Sequence, residues 1–454
     1  MKYDLVIRGG TVVNASGSFT ADIGVSAGKV AALEERIESG GQRILEAGGR
    51  LVLPGAIDVH THMEHGAGNT VTVDDFESGS KAAAAGGVTT FMDFIVQAEG
   101  RSIAESFKLR NDSAKKKSVI DYAFHIALMD VSEKIIGEIP EAIKGISSSF
   151  KLFMTYRKLG FMVDDDTLLK VMEAVGRSGG MVIVHAENDS IVEFLTDKCL
   201  REGKTSPIYH AESRPELAEA EAVNRVVQFS RITDCPVYVF HISSKEAMRV
   251  VRQARGEGLK IQGETNPHYL LLTRECYERP DGQNFIMTPP LRTEQDNEEL
   301  WTALRTGVLE VISTDHCPYH KEHKIGGRVN FTDVAPGIPG IELLLPLVHS
   351  EGVRKGRIAV EKMVDLLCRQ PARLFRLAPA KGSISVGADA DIVVFDPEKQ
   401  WTVDPNALFM RSDYSPFEGF TVTGKVDTTI SRGRVIFENG EISAEPGSGR
   451  YLRR

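Results

Sequence analysis

The chain lacks paired cysteines. Its five, Cys199, Cys235, Cys276, Cys317 and Cys368, are scattered without a CxxC, and an odd, sparse set does not build a disulfide framework. A reducing cytoplasm suits it. Also absent is any run approaching the ~18 consecutive apolar residues of a membrane span, and the start, Met1 to Arg8, alternates and turns at Gly9-Gly10 before a signal-peptide core can form. Positive charge is in deficit. With 54 Lys plus Arg against 63 Asp plus Glu, the formal charge of −9 has the wrong sign for neutralising phosphates, which excludes a bulk role on nucleic acid or an anionic membrane. Without low-complexity tracts or fixed-period repeats, linker and solenoid readings are excluded too.

What is present is an ordinary globular composition, 42% hydrophobic and 26% charged, over 454 residues. That length is about three times a typical domain of roughly 150 residues. Both ends are β-rich. Leu5 to Ile7, Thr11 to Val13 and Ile23 to Val25 read as strands separated by turns at Gly9-Gly10 and Asn14 to Gly17. Asp391 to Phe395, Phe420 to Thr423, Thr428 to Ser431 and Arg434 to Phe437 match them at the other end, with a turn at Arg432-Gly433. Between them, short apolar runs alternate with helical stretches, and eight runs read as strands: Ala56 to Val59, Val88 to Met92, Tyr122 to Ala127, Phe150 to Met154, Met181 to Val184, Val237 to Phe240, Lys260 to Gly263 and Val311 to Ser313. The pattern predicts an α/β protein: a (β/α)8 TIM-like barrel over residues 54–381 and a β-sandwich domain assembled from residues 1–53 and 382–454.

In such a barrel, chemistry sits at the C-terminal ends of the strands. Strand one runs into His60-Thr61-His62, whose imidazoles at i and i+2 project to one side of an extended segment and can share a cation. His185 and His241 end strands five and six, and Asp315 follows strand eight. Lys151 interrupts the apolar fourth strand, where a bare ammonium is costly to bury. Taken singly, each is more often an ordinary core or loop residue; metal-compatible residues at five of eight strand ends predict a metal site. Four histidines, an aspartate and a lysine exceed the places around one ion, and a protonated lysine cannot ligate. Two metals are expected, and the lysine needs a further explanation.

The ordered set Pro54-Gly55, Gly86 to Thr90, Phe150 to Tyr156, His185 to Asn188, Ser213 to Pro215, His241 to Ser244, Gly263 to Thr265, Pro289 to Arg292 and Thr314 to Cys317 resembles the cyclic amidohydrolases, specifically the hydantoinase and dihydropyrimidinase branch, over nearly the whole chain. The resemblance implies that Lys151 is carboxylated and bridges two Zn2+ per subunit, with His60, His62 and Asp315 on one ion and His185 and His241 on the other. It also implies Asp315 as the proton carrier, Tyr156 as donor to the tetrahedral oxyanion, and ring recognition through the stretches around Thr288 and around Pro336 and Gly337. The implied products are N-carbamoyl amino acids, and the implied assembly is a homo-oligomer, a homotetramer.

Two departures mark this chain. Thr288 replaces the usual serine with little effect expected, whereas Pro336 replaces asparagine and has no N–H to donate, so one ring hydrogen bond is lost or supplied by Gly337. Allantoinases and dihydroorotases share the ligand set, but those relatives typically carry an arginine shortly after HxH, where this chain has Glu64 and no Arg or Lys from Met63 to Val73. That favours neutral hydantoins or dihydropyrimidines. Met63, Leu159 and Phe161 are expected to rim the pocket and admit an apolar exocyclic group. His65, His125, His268, His316, His320 and His323 are read as packing or solvent-facing. Two further alternatives are a non-catalytic dihydropyrimidinase-related assembly protein, which would lack metal ligands, and a one-metal deaminase without a bridging lysine.

Overall fold

The computed structural model describes residues 2–38, 40–67 and 70–454. Met1 and Ser39 of the expected sandwich segment, and Gly68 and Asn69 of the stretch lacking Arg and Lys, lie outside the described residues. Eight parallel strands are hydrogen-bonded in sequence order: β1 (Ala56–Asp58), β2 (Val88–Gln97), β3 (Asp121–Leu128), β4 (Ser149–Phe153), β5 (Met181–His185), β6 (Val237–Val239), β7 (Ile261–Thr265) and β8 (Val311–Ile312). The first and last meet just beyond their ends, where Thr61 bridges His316 and the His62 amide donates to the His316 carbonyl at 2.8 Å. This near-closed barrel carries the expected fold.

Helices cover the barrel because their starts are capped and one face is apolar. Asp164 accepts from the Thr167 amide at 2.8 Å, and the helix Asp165–Arg177 that follows buries Leu168, Val171, Met172 and Val175. Inside the barrel, Ile57, Val59, Met92, Phe94, Ile183, Tyr238, Phe240 and Phe375 form one apolar cluster. The period of two along β4 puts Lys151 on the same face as Ser149 and Phe153, opposite Ala127 and Ile183 of the neighbouring strands. The Arg454 guanidinium donates to Ser147 and Ser149 hydroxyls at 2.7 and 2.9 Å and lies over the Phe375 ring.

The two chain ends share a single nine-stranded mixed sheet among the described residues. Strand Leu51–Pro54 joins the halves, pairing parallel with Tyr3–Asn14 and antiparallel with Ile392–Thr402. Its own core includes Leu5, Ile23, Val25, Val52, Ile392 and Ile430. Two expected breaks are corrected. Gly9-Gly10 is an irregularity inside the continuous strand Tyr3–Asn14, with Gly9 at φ +68°, because both flanks stay paired with Gly17–Ser26. Thr421 to Thr423 and Thr428 to Ser431 likewise belong to one strand, Thr421–Ser431, which stays paired with Ile392–Thr402 through two register shifts.

Two contacts tie distant segments. Asn14 Nδ2 donates to the Ile384 carbonyl at 2.9 Å across 370 residues of chain. Lys381 is buried with its ammonium among Asp121 at 2.6 Å, Asp389 at 3.0 Å and Asp391, linking β3 to the mixed sheet. The three carboxylates are close enough to resemble a metal site, but the ammonium already occupies the middle. Among the described residues no helix is long and apolar enough to cross a membrane.

Candidate active site

The strand ends converge. His60 Nε2, His62 Nε2 and Asp315 Oδ1 lie 3.0 to 3.2 Å from one another, a set compact enough to hold one ion. His185 and His241 stand beside them, with ring centroids 4.5 Å apart and His241 5.5 Å from His60. Tyr156, His241 and Asp315 take positive φ of 71°, 39° and 50°. Such backbone costs about 1–3 kcal/mol per residue and concentrates where a side chain must be aimed.

Supporting carboxylates orient the rings. Glu264, the fully buried penultimate residue of β7, lies 2.6 Å from His60 Nδ1 and accepts from the Tyr238 hydroxyl at 3.0 Å. Glu187 lies 2.7 Å from His185 Nε2 and accepts from Arg214 at 2.8 Å. Burial works against that charge, yet Arg214 and His185 draw Glu187 down to about 2. Asp58 accepts from the Thr314 amide and hydroxyl, fixing the segment that delivers Asp315. Metal-ligating histidines characteristically carry such partners on the far ring nitrogen.

Electrostatically the site is a collection of neutral bases. Burial, reinforced by Lys151, holds His60 well below the ordinary imidazole range and His62 down to about 3. Burial pushes Asp315 up to about 6, opposed by Lys151. The Lys151 ammonium position lies 4.7, 4.8 and 4.7 Å from the rings of Phe94, Phe153 and Phe240, and burial lowers it to about 8. It makes no ion pair or hydrogen bond among the described residues, and the buried His241 Nδ1 has no partner either. Neutral imidazole lone pairs crowded onto a carboxylate, with an orphaned amine alongside, suit divalent cations, so the donor set fits metal.

Tyr156, raised to about 12 by burial, stays a hydroxyl donor; its ring is 5.2 Å from His185. Thr288 is buried beside the Tyr156 phenol, and its hydroxyl completes no well-formed hydrogen bond within the protein. Gly337 sits at φ +149°, where a Cβ would meet the Cys317 carbonyl at 2.6 Å. Its amide donates to the Ile286 carbonyl at 3.1 Å, so this N–H is not spare to replace one missing at Pro336. The Gly337 carbonyl accepts from the buried Lys324 at 2.6 Å, and Lys324 also donates to Ile286 at 2.8 Å.

A cavity of about 460 Å3 opens from Lys151 and His62 past Phe153 and Phe161. Phe161 therefore lines it as expected. Met63 does not: it is wholly buried in the core, its sulfur packed on Gly79, because its amide is pulled inward by Asp93 at 2.8 Å. Leu159 is exposed outside the lining. His65, read as packing, faces the cavity. Glu264, Glu187 and Arg214 lie in stretches singled out from the sequence, but no role was assigned to them there, because nothing in a single sequence shows that the two carboxylates meet histidine rings or that Arg214 meets Glu187. Arg101 and Arg110 also line the cavity; they come from beyond β2, outside the segment searched for a cation.

A parallel barrel whose strand ends gather imidazoles, a carboxylate and a lysine, with His62 and Lys151 opening onto a cavity, has the architecture of a metal-dependent hydrolase. The model of the amidohydrolase family matches residues 51–436. A D-hydantoinase of Ralstonia pickettii is 42% identical over 455 aligned residues, covering 99% of each chain. The crystal structure of dihydropyrimidinase from Brevibacillus agri superimposes with a TM-score of 0.96 at 40% identity, covering 99% of this chain and 98% of that one. The L-hydantoinase (dihydropyrimidinase) of Arthrobacter aurescens gives 0.93 at 30% identity, covering both chains fully. The chain belongs to the amidohydrolase family and, within it, to the hydantoinase and dihydropyrimidinase group of cyclic amide hydrolases.

Proposed function

We propose that this enzyme is a dinuclear zinc cyclic amidohydrolase that opens 5-substituted hydantoins or dihydropyrimidines to N-carbamoyl amino acids. The observation that carries the reading is Lys151, a buried amine among three aromatic rings, with no counter-ion among the described residues and ligand-type side chains on both flanks. Carboxylated by carbon dioxide, Lys151 would become an anionic ligand in place of a costly buried cation. His60, His62 and Asp315 would hold one ion, and His185 and His241 the other. Bound there, the ions would supply Lewis acidity to the ring carbonyl and to water.

The chain's own residues supply the rest. Asp315 takes the proton of the attacking water and returns it to the ring nitrogen as the carbon–nitrogen bond breaks, so one water is consumed and the product stays in one piece. Tyr156 donates its hydroxyl to the oxygen that gains charge. Backbone groups of the stretches around Thr288 and around Pro336 and Gly337 would meet the polar edge of the ring, with no N–H to donate at Pro336 and the Gly337 amide already engaged by the Ile286 carbonyl. The proposal includes a homotetrameric, cytoplasmic enzyme divided into a barrel over residues 54–381 and a sandwich over 1–53 and 382–454; light scattering tests the assembly.

Zinc-loaded protein should open hydantoin, 5-phenylhydantoin and dihydrouracil faster than allantoin or dihydroorotate, and Lys151→Ala should lose both activity and bound zinc. Turnover confined to allantoin or dihydroorotate would reassign the substrate. Less than one ion per chain in metal-replete protein would return the assembly-protein reading.

A further inference from the structure

The cavity wall carries a charge that ring opening does not use. Arg101 lies in the loop between β2 and the helix Ile103–Lys117, and its side chain lines the same cavity as Lys151. The loop is pinned: buried Gln97 donates through Nε2 to the Ala98 and Arg101 carbonyls, both at 2.8 Å, and accepts from the Asp130 amide at 3.1 Å. The neighbouring charges are already satisfied. Arg110 binds Asp93 at 2.6 Å, and Glu64 binds Lys117. Arg101 alone of these makes no ion pair among the described residues; it is solvent-exposed, with Glu105 close enough to feel its charge, and shares the cavity lining with the apolar Val96, Leu109, Met129 and Phe161. The His65 ring on the same wall also makes no side-chain hydrogen bond among the described residues.

We propose that Arg101 is a specificity-determining residue and that the favoured rings carry a carboxylate at the end of a short apolar arm, as 5-(carboxyalkyl)hydantoins do. This rests on the ring-opening reading above. The arm lies along the apolar wall, and the carboxylate meets the guanidinium fork, which can bind it through two parallel hydrogen bonds. A carboxamide of equal size fills the same space without the ion pair.

The test compares kcat/KM for 5-(2-carboxyethyl)hydantoin and 5-(2-carbamoylethyl)hydantoin in the wild type, Arg101→Gln and Arg101→Lys. The acid-to-amide ratio is internal to each preparation, so a loss of folded enzyme cancels. We expect a wild-type ratio of about tenfold at low salt, carried by KM, falling to near unity in Arg101→Gln and partly kept in Arg101→Lys. It should also shrink at 1 M salt, where screening acts over about 3 Å. A wild-type preference for the amide, or a ratio unchanged in Arg101→Gln while hydantoin and 5-phenylhydantoin are still opened, overturns this proposal alone. Failure to open any ring removes it together with the reading beneath it.

Discussion

The Glu264 carboxylate lies 2.6 Å from Nδ1 of His60, and Nε2 of the same ring faces Asp315 at 3.2 Å. One histidine thus joins a wholly buried acid to the ligand cluster. An ionised Glu264 keeps the proton on Nδ1 and the lone pair on Nε2, the arrangement a cation needs. Burial, reinforced by the Asp315 and Asp58 charges, pushes Glu264 well above the carboxylate range, and a dication bound across the imidazole would favour the charged form.

Glu264→Gln should therefore weaken metal binding by about 10–100-fold while the fold survives, since the amide keeps the shape and the Tyr238 hydroxyl contact. Competition with a chelator of known affinity measures this. Unchanged affinity would mean that the His60 tautomer is set elsewhere.

Tyr156→Phe should lower kcat by about 10²-fold with a smaller change in KM, because a donor aimed at developing charge acts mostly in the transition state. Since burial raises the phenol to about 12, the wild-type rate should show no loss from its ionisation below about pH 11. A KM effect with kcat intact would reassign Tyr156 to ground-state binding.

Acid should destabilise the protein from about pH 6.5 downward. Burial lowers His62 and His210 to about 3 and His268 to about 4, and holds His125 well below its usual value. The unfolded chain takes up these protons near pH 6.5 while the folded chain refuses them, so the stabilisation is complete above that value and lost as pH falls. Each histidine contributes a slope of about 1.4 kcal/mol per pH unit. Asp58, Asp315, Glu219, Glu264, Glu342 and Asp391, raised by burial, act in the opposite sense, but His60, His65, His185, His241 and His349 are lowered by burial too, so nine histidines outweigh six acids. Urea midpoints between pH 7 and 4.5 check this, with a flat profile as the contrary result.

Lys324→Met should raise KM and cost about 1 kcal/mol of stability, the scale of a lost hydrogen bond, since the Ile286 carbonyl keeps the Gly337 amide and the Gly337 carbonyl keeps the Tyr414 hydroxyl at 3.4 Å. Its ammonium bridges the Ile286 and Gly337 carbonyls, next to Thr288 and Pro336. A KM shift larger than the kcat shift would mark it as a residue that positions the ring-gripping segments. Equal loss of both would indicate general damage.

The barrel was readable in the sequence because its strands are short apolar runs buried on both faces; β3 and β5 were located to within a residue at each end. The ligand types were readable because polar residues interrupt or end such runs. Side-chain direction was not. Met63 follows His62 directly yet points into the core, since the Asp93 carboxylate captures its amide, and no local pattern reveals a partner 30 residues away. Charge delivered across the fold was equally hidden: a search from Met63 to Val73 found no cation, while Arg101 and Arg110 reach the cavity from the following unit. At Gly9-Gly10 the local turn signal lost to two paired strands, a tertiary effect that propensity does not contain.

The Asn14 to Ile384 contact has a consequence for synthesis on the ribosome. At about 5–20 residues per second, the 370 residues between these partners take tens of seconds to emerge, during which the first strands have no Ile392–Thr402 to finish their sheet. The strand Leu51–Pro54, paired on one side with Tyr3–Asn14, must wait with its other edge open while the barrel forms beside it. Early chaperone capture, not slow chemistry at the site, would then limit the yield of active enzyme in a cell.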